Sequence, residues 1–93
     1  MLVRMLGKRW NLRYSRLKKH HGDCDSPDKK GLREIRIAKN LHQKQELEVL
    51  IHELLHCSDW TKDESWIAET ARDVAVILWK LGWRNNDRTR MDG

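Results

Sequence analysis

LEVLIHELLHCSDW, residues 47–60, sets two histidines four positions apart with a glutamate directly after the first. Around them Leu47, Leu50, Ile51, Leu54 and Leu55 recur at the three-and-four spacing of a helix. The spacing predicts a helix over about 43–57, opened by Asn40 and Gln43 as a weak capping pair. A helix turns 100° per residue, so His52 and His56 leave one face about a turn apart, close enough to share a metal ion. Neutral imidazoles suit Zn2+, and Glu53 could reach a water on that metal without being a ligand. The plainer reading is two histidines on the wet side of a leucine helix. Three polar groups in so apolar a segment need a compensating partner, and zinc is the one expected.

A catalytic zinc takes three protein ligands and leaves one position open, so a third ligand is expected outside the motif. Thr61 and Glu64 read as a capping box, and Ile67, Ala71, Val74, Leu78 and Leu81 keep helical spacing until Gly82. A second helix is therefore predicted over about 62–81. It offers Glu64, Glu69 and Asp73, of which Glu64 is assigned to the cap, while Glu69 and Asp73 share a face.

HELLH followed by Glu69-Thr-Ala-Arg-Asp73 resembles the gluzincin metallopeptidases, whose HExxH is followed by a glutamate ligand on a second helix and an aspartate four residues later. The resemblance implies His52, His56 and Glu69 as zinc ligands, Glu53 as general base, and Asp73 as the carboxylate that orients a ligating imidazole. Residues 43–83, ending in Leu-Trp-Lys-Leu-Gly-Trp, are also similar to small metallopeptidases encoded by phages and prophages, a likeness that GDCDSP and REIRI upstream extend. It implies peptide or protein substrates in a bacterial cytoplasm. The match has two departures. His56 and Glu69 stand closer in sequence than in the large gluzincins, and the helical wheel turns Glu69 away from Ile67, Val74 and Leu78. Glu64, Asp73 or a two-histidine site completed by water stays open. Burial of the second helix on two sides, through Trp66, Val76, Ile77 and Trp79, would aim Glu69 and Asp73 at the metal.

Upstream, RWNLRY (9–14) and REIRIA (33–38) alternate polar and apolar residues with the period of strands, and HHGDCDSPDKKG between them reads as an exposed loop. The expected architecture is α+β, a small zincin-like core in one domain over 1–93. Short antiparallel strands pack on the HExxH helix and the glutamate helix, and the polar tail 85–93 is frayed. The REIRIA strand could take an extended peptide at the sheet edge.

Ninety-three residues with 39% hydrophobic content hold one modest core, so the site must be built from few elements. No apolar run spans a membrane, and Arg4, Lys8 and Arg9 interrupt the start, so neither an export signal nor a membrane anchor is expected. Two cysteines make no disulfide framework, which favours the cytoplasm. Cys57 reads as a small core residue, and Cys24 as a loop thiol with an inhibitory fourth-ligand role as its sharper alternative. His20, His21 and His42 read as solvated, Tyr14 as packing, and the five tryptophans as core in a chain without phenylalanine.

The net charge of +5 is uneven: residues 1–45 hold thirteen Lys and Arg against four Asp and Glu, and residues 46–93 hold six against ten. That basic half supports an alternative reading, a zinc-stabilised binding module for nucleic acid or an acidic protein. A metal-dependent nuclease or amidase using the same water is a third.

Overall fold

The computed structural model describes residues 1–86. In chain order the elements are β1 (Leu2–Met5), β2 (Lys8–Ser15), β3 (Gly22–Cys24), β4 (Arg33–Ala38), α1 (Gln43–Ser58) and α2 (Glu64–Lys80). The α+β class is as expected, and both helices fall within two residues of their predicted ends. The sheet is richer, with four strands in the order β1-β2-β4-β3.

The two strands legible from their alternation, β2 and β4, pair with each other in parallel and not antiparallel, Leu12 opposite Ile35 and Tyr14 opposite Ile37. Antiparallel pairing occurs at the flanks, where β1 joins β2 and β3 joins β4. The chain turns from β1 into β2 at Leu6 and Gly7, both at positive φ, as a tight hairpin of right-handed strands requires. From β2 it passes to the far side of β4, lays down β3 there, and returns as β4 beside β2. REIRIA is thus an interior strand, and the sheet edge next to it is β3, inside the expected loop.

Alternation then sorts the side chains. Trp10, Leu12 and Tyr14 of β2 and Ile35 and Ile37 of β4 are buried on the face that α1 covers, with Cys57 of α1 completing the cluster. Only Trp10 of the five tryptophans is fully buried, whereas Trp60, Trp66 and Trp83 are exposed. Tyr14 is indeed a core residue, and its hydroxyl donates to Glu46 Oε2 at 2.6 Å. Asn85 Nδ2 also donates to that oxygen at 3.0 Å, and Gln43 Nε2 reaches the Asn85 carbonyl at 3.4 Å, so residue 85 is tied to α1 instead of frayed. The expectation for residues 87–93 lies outside the described residues.

α2 runs beside α1 and approaches no strand, burying Ile67, Ala71 and Ala75. Small alanines let the two helix backbones come close. It ends as the sequence indicates: Gly82 sits at φ 93, its N-H bonds to the Trp79 carbonyl, and the Trp83 N-H bonds to that of Leu78, which satisfies two orphan carbonyls. Among the described residues no helix is long and apolar enough to cross a membrane.

On the open face of the sheet, Arg36 bridges Asp23, Asp25 and Glu34, and Arg13 pairs with Glu34 at 2.9 Å. Burial works against the Asp25 charge, but Lys29, the Glu34 N-H and Arg36 together outweigh it and pull its pKa from 3.8 down to about 2. A depressed pKa stabilises the fold above the ordinary value, and that contribution is lost as pH falls through the folded one. Thermal stability should therefore drop between about pH 4 and pH 2 and drop less in Asp25→Asn, as circular dichroism melts across that range would record.

Candidate metal centre

α1 is a helix covered on two sides, by the sheet and by α2. Glu46, Leu50, Glu53 and Cys57 follow one another along its sheet side, while His52 and His56 stand at the border of that side. Both histidines are partly buried, and their Nε2 atoms lie 3.2 Å apart.

The third group is Glu64. Its Oε1 lies 2.9 Å from His52 Nε2 and its Oε2 lies 2.8 Å from His56 Nε2, one carboxylate spanning two imidazoles. Among the described residues, His52, His56 and Glu64 are the set of His, Cys, Asp or Glu donors that converge closely enough to hold one ion. Glu69 and Asp73, the ligand and orienting carboxylate implied by the family likeness, are both exposed on α2 and join no such group. α2 contacts α1 through one face and is not buried on two sides, so nothing turns Glu69 or Asp73 inward.

The reason for the exchange is a cap. Asp63, not Thr61, caps α2, its carboxylate accepting from the Trp66 N-H at 3.2 Å, while the Thr61 hydroxyl donates to Asp59 at 2.7 Å. Glu64 is thus the first helical residue, released from any capping box and placed where the loop after α1 returns. At the start of α1 the cap is His42, whose Nδ1 accepts from the Lys44 N-H, and Asn40 is instead a left-handed residue at φ 66. His42 has a structural task that its sequence context did not announce.

The donor set fits zinc in kind, two imidazoles and one carboxylate, and in spacing. Two nitrogens on a tetrahedral zinc at about 2.0–2.1 Å stand roughly 3.3 Å apart. The two nitrogens stand 3.2 Å apart, close to that, whereas the Glu64 oxygens at 2.9 and 2.8 Å stand at hydrogen-bond distance from them. Glu64 also bonds both rings directly in the geometry described.

Glu53 follows His52 but turns under the helix, where it is buried. Burial is the main influence on it and raises its pKa, opposed by His52, His56 and the Cys24 thiol. Cys24, on β3, hydrogen-bonds with Cys57 and then, being half-buried, is further disfavoured as a thiolate, so its pKa is raised. It therefore sits beside Glu53 as a thiol and lies outside the His52, His56 and Glu64 group. β3 approaches α1 so closely that a Cβ on Gly22 would meet Val49 Cγ1 at 2.7 Å and Glu53 Cγ at 3.1 Å. A hydrogen is the only side chain that fits there.

These groups line one cleft of about 700 Å³, floored by His52, Glu53 and His56 and walled by β3 on one side and by Trp60, Lys62 and Glu64 on the other. His20 and His21, expected to be solvated, stand at its edge, with His20 Nε2 3.3 Å from Asp23 and the His21 ring bonded to Gln45. No protein-family model matches the chain, and neither the curated proteins nor the solved structures with which it was compared include a match.

Proposed function

We propose that the protein is a zinc-dependent peptidase whose metal is held by His52, His56 and Glu64 and whose general base is Glu53. The observation that supports this most is the convergence of those three donors, within a 4.8 Å span, in the cleft that also contains Glu53. Zinc bound there would supply Lewis acidity, lowering the pKa of a water and polarising a scissile carbonyl. The Glu53 carboxylate takes a proton from the attacking water and delivers it to the leaving amine. Its position under the helix, in contact with Cys24, keeps it beside the metal ligands without adding a fourth. An extended peptide would add to the outer edge of β3, whose residues Gly22–Cys24 line the cleft. In this reading the protein works in a reducing cytoplasm, where Cys24 and Cys57 stay as neighbouring thiols. The nucleic-acid alternative gains less support, because Arg13, Lys29 and Arg36 of the basic half are already neutralised by carboxylates.

Glu53→Gln is the direct test. It should leave zinc content at the wild-type level by elemental analysis and lower cleavage of an unfolded protein substrate by about 10²–10⁴-fold. Wild-type cleavage by a zinc-loaded variant would remove Glu53 from the mechanism.

A further inference from the structure

The floor of the cleft carries a carboxylate that the reaction proposed above does not use. Glu48, His52 and His56 follow one another at four-residue steps on α1, so about 40° separates neighbours in projection and the three share one face. All three line the cleft. Glu48 is partly buried there, and among the described residues it has neither a hydrogen bond nor an ion pair. A carboxylate drawn from water and left unpaired gains from a cation that a ligand brings to it.

The other charged groups of the cleft are already engaged. Asp23 is held by Arg36 and His20, the His21 ring bonds Gln45, and Glu64 spans the two histidines. Glu53 is buried under the helix, and Lys62, beyond the C-terminal end of α1, lies 4.8 Å over the Trp66 ring. Lys18, Lys19 and Lys44 are exposed and do not line the cleft. Glu48 is therefore the charge that a ligand meets at the N-terminal end of the row.

β3 runs alongside that row. His21 just before it bonds Gln45, Gly22 stands against Val49 and Glu53, and Cys24 against Cys57. A peptide added to the outer edge of β3 thus passes both Glu48 and the histidines. Along α1, Glu48 is about 9 Å from the midpoint between His52 and His56 at 1.5 Å per residue, a span that an extended peptide covers in two or three residues at about 3.3 Å each. Val49, next to Glu48 in the lining, offers an apolar wall to the methylene stem of a long side chain while the carboxylate takes its head. We infer that Glu48 selects substrate peptides with a lysine or arginine two or three residues to one side of the scissile bond, a selection that presupposes the peptidase reading and names its substrate class.

Quenched fluorogenic peptides that differ only in carrying Lys, Gln or Glu at a single position test this on the zinc-loaded full chain, and anisotropy of the same peptides on zinc-loaded Glu53→Gln measures binding without cleavage. The expected result is a kcat/KM at least about tenfold higher for Lys than for Glu at the second or third residue on one side of the cut, as a hydrogen bond between charged groups confers. Glu48→Gln should abolish that preference and Glu48→Lys reverse it, with zinc content unchanged in both. Cleavage without a charge preference, or a preference that Glu48→Gln retains, overturns the role of Glu48 and leaves the peptidase reading intact. Lys-selective binding that is lost when Glu48→Gln is added, with no cleavage by the wild type, removes the peptidase reading and keeps the basic subsite. Neither cleavage nor Lys-selective binding overturns both.

Discussion

Glu64→Ala should lower zinc affinity by at least the ~10–100-fold that even outer partners of metal ligands contribute, and Glu69→Ala should leave it unchanged. The two carboxylates are five residues apart on one helix, so the comparison isolates position from charge. Glu64 spans His52 and His56 at 2.9 and 2.8 Å, while Glu69 points to solvent. His52→Ala and His56→Ala should lose the metal altogether, which gives the scale on which Glu64 is read. Competition against a chromogenic zinc chelator measures all four variants. If affinity falls with Glu69→Ala and not with Glu64→Ala, the three-residue group is a hydrogen-bonded cluster and the metal assignment fails.

The largest stability effect should come from Trp10→Ala, about 3–5 kcal/mol for a fully buried aromatic. Trp10 stands on β2 between Val3 of β1 and Arg33 of β4, so its loss leaves a void under the middle of the sheet. A domain of this size holds ~5–15 kcal/mol in all, and a loss of that order would lower the melting temperature by some tens of degrees. Trp60→Ala, at 49% exposure, is the control and should change stability little. Urea unfolding of both variants decides the matter, and equal losses would mean that the core is not centred on Trp10.

The helices were legible because each carries a long periodic apolar run, and Gly82 marked the end of the second. β2 and β4 were legible through Trp10, Leu12, Tyr14, Ile35 and Ile37. Their parallel pairing was not, because it depends on the 16–32 connection crossing to the far edge of the sheet, which no local pattern encodes. β3 escaped notice for a related reason: Gly-Asp-Cys has neither β-branched residues nor alternation, and it is a strand only because β4 and α1 flank it. At the candidate site, His52, Glu53 and His56 could be read from spacing alone. Glu64 was hidden behind a capping box that matched Thr61 as well as the true cap matched Asp63. A shift of two residues in a helix start was enough to bring Glu64, and not Glu69, against the two histidines.

The parallel pairing of β2 with β4 also bears on how the chain folds. Residues that pair there are 23 apart in sequence, as Asn11 and Glu34 are, and Asn85 reaches back 71 residues to Tyr14. Neither contact can form until a substantial loop has closed, whereas β1–β2 and α1–α2 are both hairpins of neighbouring elements. The two hairpins should form early, with the central strand pair joining them in the slow step. The cleft, bounded by β3 on one side and α1 on the other, would be among the last features to acquire its shape.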